Sequence, residues 1–358
     1  MTTPRVPLSV LDLSTVSDGR TSRDALVATT ELARRADELG YERFWVAEHH
    51  SMPAVASTAP GVLIAHLAAC TDRIRVGSGG VMLPNHPALV VGEQFAMLEA
   101  LHPGRIDLGI GRAPGADPLT AVALRRSATG DPVEQFPTDL VDTLALLGQD
   151  LDGRTPSAAA RRLRATPAPS SSPQVWLLGS STYSARLAGE LGLPFAYAHH
   201  FSTGQTDAAV ATYREAFRPS AVLASSRLVI TTSVLVAPTA EEARRLAGPS
   251  RVMALSLRTG RLGPVVSPDD AAAALEELER TAPSAVVELL AGLPGTQVVG
   301  TAADAVAALE ELVDRTGADE LMITGTAYDV RTRIETLEHL AESWGCAPSE
   351  TARAQVSG

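Results

Sequence analysis

The chain has little cysteine and no long apolar run. Its two cysteines, Cys70 and Cys346, form no spacing pattern, which excludes a disulfide framework and a cysteine zinc site and favours a reducing compartment. No stretch reaches the roughly 18 uninterrupted apolar residues of a membrane-spanning helix. The first residues, MTTPRVPLSV, lack the apolar core of a secretory signal. The sequence therefore predicts a cytoplasmic protein with no membrane segment.

The chain also has fewer basic than acidic residues. Against 41 Asp and Glu there are 30 Lys and Arg, which leaves a formal net charge of −11. This balance argues against a general binder of nucleic acids or of anionic membranes. Segments of low hydrophobicity and high charge, which are typical of disorder, are missing. We expect a globular chain with a sizeable core and a small-molecule substrate.

Short apolar runs alternate along the chain with longer segments of helical period. VPLSVLDL precedes DALVATTELARRADEL, and the same pairing recurs after FWVAE, IRVGSGG, IDLGIG, QVWLLG, PFAYA, RLVITTSVLVA and DELMITG. Apolar strands that are each followed by a helix form a parallel sheet, and eight such units favour a closed (β/α)8 TIM barrel. We predict a single domain over residues 1–358, with a helical and loop insertion at about 240–296, between strands seven and eight, that serves as a lid.

Histidines collect at one end of the predicted barrel. In a parallel barrel all strands direct their C-terminal ends to one face, which carries the active site. Five of the 8 histidines follow strands two, three and six, namely His49, His50, His86, His199 and His200. A metal centre is one interpretation, because imidazole is the commonest metal ligand. It is disfavoured because adjacent residues point to opposite faces, so His49 and His50 do not readily share an ion. We predict no metal site.

A phosphate clamp is predicted from the ends of strands four and five. In LLGSSTYSARLAGELGLP a strand ends at Gly179 and hydroxyl residues open a helix. Ser181 is followed three residues later by Ser184 rather than by the Glu or Gln of a capping box, which leaves the helix N-terminus open for a phosphate. Arg112, directly after strand four, can donate two hydrogen bonds to the same phosphate. This combination indicates a phosphorylated cofactor.

Two consecutive glycines, Gly79 and Gly80, end strand three in VGSGGVMLPNHP. Glycine lets a flat ligand approach the backbone. A tight strand-to-helix turn explains the pair equally well.

Five motifs taken together resemble the bacterial luciferase-like flavin monooxygenases, within the class that emits no light. They are WVAEHH, GSGGVMLPNHP, GRIDLGIGRAPG, LLGSSTYSARLAGELGLPFAYAHHF and RTGADELMIT. The resemblance is strongest over 5–115, 173–203 and 297–343. It implies a (β/α)8 barrel with an insertion, FMN at its C-terminal face, and a separate NAD(P)H:flavin reductase that supplies FMNH2. The implied reaction with molecular oxygen forms a flavin C4a-hydroperoxide, which oxygenates a small organic substrate.

The resemblance also implies roles for individual residues. Glu48 resembles the acidic residue beside the flavin, and His49 the histidine needed for catalysis. Gly79 and Gly80 occupy the place of a non-proline cis peptide under the flavin ring, and His199 that of an aromatic residue against the flavin. The remaining cofactor contacts correspond to Arg112, Ser180, Ser181, Tyr183 and Ser184.

Other functions stay open on the same scaffold. Related families use the deazaflavin F420 for hydride transfer without oxygen, although its longer acidic tail requires more basic residues than Arg112 alone supplies. A non-catalytic flavin-binding protein is a further alternative, because a fold does not fix a function. The family often pairs barrels through helices two and three, and the Ala- and Gly-containing segments GVLIAHLAAC and ALVVGEQFAMLEA fit a homodimer.

Overall fold

The computed structural model describes residues 5–113, 118–124, 132–149, 152–168, 171–201, 204–259, 263–281 and 297–347. The strands are β1 (Leu8–Asp12), β2 (Arg43–Val46), β3 (Arg75–Met82), β4 (Ile106–Gly111), β5 (Gln174–Gly179), β6 (Phe195–Ala198), β7 (Leu228–Val236), β8 (Gln297–Gly300) and β9 (Glu320–Thr324). Among the described helices, none is long and apolar enough to cross a membrane.

Helices follow the strands and pack around them. They are α1 (Ser22–Leu39), α2 (Pro60–Ala69), α3 (Ala88–Leu101), α4 (Pro118–Leu124), α5 (Pro132–Leu146), α6 (Thr182–Leu191), α7 (Thr206–Ala216), α8 (Ala240–Leu246), α9 (Gly248–Thr259), α10 (Pro268–Thr281), α11 (Ala302–Thr316) and α12 (Val330–Trp344). Short 3₁₀ turns cover Leu83–Asn85 and His199–Phe201.

Eight parallel strands close into a barrel, which confirms the predicted (β/α)8 fold. Strands β1 to β7 follow in sequence order, and β9 closes the ring by pairing with both β7 and β1. One further strand, β8, is not among these eight. It pairs with residues 233–236 at the C-terminal end of β7, whereas β9 pairs with residues 229–233 of the same strand. The long apolar run RLVITTSVLVA therefore pairs first with β9 and then with β8. The count of eight strand–helix units did not predict this additional strand.

The predicted insertion begins with three helices, α8 to α10, over residues 240–281. Leu255 of α9 and Leu275 of α10 are buried together. Between these helices the chain returns to the barrel, where Val265 donates to the carbonyl of Val16 and accepts from the N–H of Asp18. This bridge ties the insertion to the loop after β1, at the C-terminal face. Residues 282–296 lie outside the described part of the chain, and the role of a lid stays a prediction.

A buried ion network fills the N-terminal end of the barrel. Arg43, which opens β2, donates to Glu320 Oε1 at 2.8 Å and to Asp107 Oδ2 at 2.9 Å, and both carboxylates are fully buried. Its guanidinium also lies 4.8 Å from the ring centroid of Trp176. Burial alone would lower the pKa of Arg43, but the charges of Asp107 and Glu320 raise it above its ordinary value. Arg43 is therefore held as a cation between strands β4 and β9.

We expect Arg43→Leu to lower the free energy of unfolding by up to about 3–5 kcal/mol, because Asp107 and Glu320 lose their shared buried partner and keep only the partly exposed Arg75 and Arg227. Urea unfolding measures the loss. Arg331→Leu is the control, since the Arg331–Glu335 pair is exposed and such pairs contribute about 0–1 kcal/mol. Equal losses in the two variants would contradict the role assigned to Arg43.

Candidate active site

Glu48 is the buried centre of a polar cluster at the C-terminal face. It follows β2 by two residues and is fully buried. Its Oε1 lies 2.8 Å from Nε2 of His50 and 2.7 Å from Nε2 of His86. Its Oε2 accepts the N–H of Met82 at 3.1 Å. One carboxylate thus joins the loop after β2 to the end of β3 and to the turn that follows it.

The loop after β2 folds back on itself and so fixes where these side chains lie. Ser57 donates its hydroxyl to the carbonyl of Ala47 at 2.6 Å, and the N–H of His49 donates to the carbonyl of Ser57 at 3.1 Å. Glu48 and His50, two positions apart, meet through their side chains. The sequence pointed to His49 as the catalytic histidine and did not anticipate that Glu48 would pair with His50 and His86. The role of His49 stays a prediction.

The surroundings of Glu48 favour its ionised form. Burial alone would raise the pKa of Glu48, but the hydrogen bond and charge of His86, the hydrogen bond of His50 and the N–H of Met82 together hold that pKa below its ordinary value. Hydrogen bonds to the charged form of a carboxylate stabilise it. Glu48 is therefore a buried anion.

The same three residues have the composition of a metal site. One ligand atom each from Glu48, His50 and His86 lies within 4.8 Å of the others. The nitrogen-to-oxygen separations of 2.7 and 2.8 Å are those of hydrogen bonds. Ligands bound tetrahedrally to zinc at about 2.0–2.1 Å would lie roughly 3.3 Å apart. The geometry is thus that of a carboxylate that accepts from two imidazoles.

Glycines bring the backbones of β3 and β4 close together beside this cluster. The Gly79–Gly80 peptide bond is cis, as the resemblance implied. A Cβ atom on Gly79 would lie 2.6 Å from Cδ1 of Leu11, and one on Gly80 would lie 2.8 Å from the carbonyl oxygen of Gly109. These positions accept only glycine without rearrangement. Their place under a flavin ring stays a prediction.

The structure brings Arg112, in the loop after β4, into contact with Tyr183, in the first turn of α6 after β5. The guanidinium carbon of Arg112 lies 4.2 Å from the ring centroid of Tyr183, a cation–π contact. Ser181 is the N-cap of α6, and its side chain makes no capping hydrogen bond. The first turn of α6 therefore offers its N–H groups beside a positioned guanidinium.

The two remaining serines of the predicted clamp are placed differently. Ser180 is exposed, whereas Ser184 is buried inside α6. A Cβ atom on Gly179 would lie 2.4 Å from Cβ of Ser184, so this serine packs against the end of β5. Their contacts with a phosphate stay predictions.

His199 and His200 have partners on different elements. Nδ1 of His199 lies 2.8 Å from the hydroxyl of Thr206, at the start of α7. Nδ1 of His200 lies 3.2 Å from the carbonyl oxygen of Thr231 in β7, to which it donates, and its ring packs on Phe201. Burial lowers the pKa of His200 to about 4. The histidine bonded to a barrel strand is thus His200, and alternation along the chain is the signal that could have indicated it.

We expect His200 to make stability depend on pH. Because its pKa is lowered in the folded chain, the unfolded chain binds a proton that the folded chain does not between about pH 6.5 and pH 4. Stability is therefore lost as the pH falls through this window. When the pH is lowered from 7.5 to 5, the free energy of unfolding measured in urea should fall by about 2 kcal/mol less in His200→Gln than in the wild type. His339→Gln, on α12, is the control, and an unchanged loss in His200→Gln would contradict the assignment.

Comparisons with known proteins identify relatives over nearly the whole chain. The family model for luciferase-like monooxygenases matches residues 6–340. A luciferase-like monooxygenase of Escherichia coli strain K12 is 39% identical, over 94% of this chain and 97% of that protein. The N-acetyl-S-alkylcysteine monooxygenase of Bacillus subtilis strain 168 is 39% identical, over 76% of this chain and 80% of that protein.

Solved structures show the same fold. The crystal structure of apo-MsnO8 has a TM-score of 0.86 at 37% identity and covers 97% of this chain and 99% of that chain. Two more distant structures share the fold alone. They are the oxygenating constituent of 3,6-diketocamphane monooxygenase of Pseudomonas putida in complex with FMN, at 19% identity and a TM-score of 0.67, and an F420-dependent secondary alcohol dehydrogenase, at 16% identity and a TM-score of 0.67.

Proposed function

The chain belongs to the luciferase-like monooxygenase family, and we propose that it is an FMN-dependent monooxygenase that oxygenates a small organic substrate. Its relatives at 39% identity are named monooxygenases. The F420-dependent structure resembles this chain in fold only, at 16% identity. The names of the 39% identical relatives favour oxygen insertion over hydride transfer, whereas the FMN-bound and F420-dependent structures, at 19% and 16% identity, share the fold alone.

The paired Arg112 and Tyr183 beside the open end of α6 are the observation that carries the choice of cofactor. A guanidinium held over a ring 4.2 Å away is already oriented before a ligand binds, and the uncapped N-terminus of α6 adds donors for an anion. Gly79 and Gly80 form a surface without side chains within β3, which continues to Met82 and does not end at the glycine pair as the sequence predicted. These features fit a flat ring that bears one phosphate.

Reduced FMN, when bound, supplies the two electrons that oxygen activation requires. The residues of the chain then have distinct tasks. Arg112 and the first turn of α6 bind the phosphate, and the glycines admit the ring. Glu48 and His49 handle protons at the site, and His199 contacts the ring. The insertion, which Val265 ties to the loop after β1, excludes water from the reaction.

The first substrate to test is a thioether. The relative from Bacillus subtilis is an N-acetyl-S-alkylcysteine monooxygenase and shares 39% identity with this chain. N-acetyl-S-methylcysteine is therefore a suitable probe. Electrons reach the flavin in our proposal through a separate NAD(P)H:flavin reductase.

Anaerobic titration with photoreduced FMN, and in parallel with reduced F420, tests the choice of cofactor. We expect FMNH2 to bind, and Arg112→Ala to weaken binding about 10- to 100-fold, since a charge-assisted hydrogen bond contributes roughly 1.5–3 kcal/mol. Arg186→Ala is the matched control, because Arg186 lies on the exposed side of the same helix. Binding is followed through the flavin absorbance.

Each of the other results points to a different function. Binding of F420 without FMNH2 would replace oxygen insertion by hydride transfer. Binding of FMNH2 without uptake of ¹⁸O₂ label into any product would support a non-catalytic flavin-binding protein. Binding of neither cofactor would contradict the proposal.

We also propose that the chain forms a homodimer through α2 and α3. These helices pack against each other and expose large apolar side chains, of which Val62 is 74%, Met97 53% and Leu101 63% exposed. We expect sedimentation equilibrium to show a dimer, and Leu101→Glu to shift it towards the monomer. Val222→Glu, at an exposed apolar residue outside these helices, is the control. A wild-type monomer would contradict the proposal.

A further inference from the structure

The hydrogen bonds of Glu48 determine which ring nitrogen of each partner carries a proton. An ionised carboxylate only accepts hydrogen bonds, and the environment of Glu48 favours its ionised form. Both of its imidazole partners approach the same oxygen through Nε2, at 2.8 and 2.7 Å. Both Nε2 atoms are therefore donors.

Whenever a ring that donates through Nε2 is neutral, its one ring proton is the Nε2 proton, and its Nδ1 has a free lone pair. The side chains of His50 and His86 are 16% and 29% exposed, whereas that of Glu48 is fully buried. Each ring thus spans from the buried anion towards the barrel mouth. In hydrolase triads a carboxylate likewise orients a histidine base, there through Nδ1 rather than Nε2.

We infer that Glu48 holds His50 and His86 as a pair of oriented proton carriers, and that this pair exchanges the protons of the oxygenation through its Nδ1 atoms. The inference rests on the proposed function and adds residues to it. Insertion of one oxygen atom into a substrate would consume O2 together with the two electrons and two protons that FMNH2 carries, and it would release one water. A protonated Nδ1 would donate one proton at a time to the oxygen that leaves as water, and it would be recharged by a proton that the reduced flavin gives up on oxidation.

Carboxylates approach the pair from two elements. Glu48 Oε1 is in hydrogen-bond contact with both rings. Helix α5 packs against the turn Leu83–Asn85 and carries Glu134, Asp139 and Asp142. Glu48, which touches both rings, is the carboxylate that compensates a positive charge on either of them.

The tautomers are measured on the chain without any cofactor. Two-dimensional ¹⁵N–¹H spectra of the ¹⁵N-histidine-labelled protein at pH 8 distinguish a protonated Nε2 from a protonated Nδ1. We expect the Nε2–H form for both rings, with each signal assigned by its loss in His50→Gln or His86→Gln. The Nδ1–H form in either ring would overturn the inference.

Turnover tests whether the pair moves protons. Glutamine retains an N–H group that can reach Glu48 but has no basic nitrogen, so the double variant His50→Gln/His86→Gln preserves the hydrogen bonds. We expect the double variant to lose about 100-fold in kcat with N-acetyl-S-methylcysteine, while FMNH2 affinity stays within threefold. Added imidazole should restore about tenfold to His86→Ala, which a purely structural role does not predict. His102→Gln, after α3 at the opposite end of the barrel, is the control.

These experiments distinguish failure of the catalytic inference from failure of the proposed function. If the double variant keeps kcat within threefold of the wild type, the catalytic inference is wrong although the proposed function stands. If the wild type neither binds FMNH2 nor oxidises the thioether, the proposed function is wrong, and so is the catalytic role of the pair, which depends on it. The spectra still decide the tautomers in that case.

Discussion

The buried ion network at the N-terminal end of the barrel is the constraint on which the rest of the fold depends. Arg43 of β2 bonds to Asp107 of β4 and to Glu320 of β9, and it therefore connects strands across the ring. An ion pair without water is stable only when its hydrogen bonds are complete. Ser9 of β1 and Trp45 of β2 add further donors to these carboxylates. The strands are thereby held in one register, and their opposite ends are left to carry loops.

Much of the fold could be predicted because the signal is repeated locally. Each strand is a short apolar run that a helical segment follows, and eight such units imply a closed barrel. The extra strand β8 escaped this reasoning because QVVG is short and pairs with residues 233–236 at the end of a long strand. The Arg43 network also escaped it. Pairing between residues as distant in sequence as Arg43 and Glu320 depends on strand order and register, which local patterns do not encode.

The candidate site was predicted in composition but not in pairing. Polar residues after strands indicated the face of the barrel at which the Glu48 cluster lies, and alternation indicated that His49 and His50 differ in direction. Nothing in the sequence showed that Glu48 would bond to His86, because that contact depends on how the turn Leu83–Asn85 returns towards β2. Arg112 was predicted to bind a phosphate and Tyr183 to be a further cofactor contact, and their direct contact depends on the adjacent placement of β4 and β5.

The glycine-lined surface between β3 and β4 has a consequence for changing what this protein acts on. A Cβ atom would lie 2.6 Å from its neighbours at Gly77 and Gly79, 2.8 Å at Gly80 and 2.1 Å at Gly109. Distances below 3.0 Å force the surrounding atoms to move. At Gly77, Gly80 and Gly109 the nearest atoms include backbone carbonyl oxygens, so a side chain there would push β3 and β4 apart, whereas at Gly79 the end of the Leu11 side chain can yield. A library that aims to alter what the proposed enzyme acts on therefore gains little at these three glycines and more at the loops of the C-terminal face.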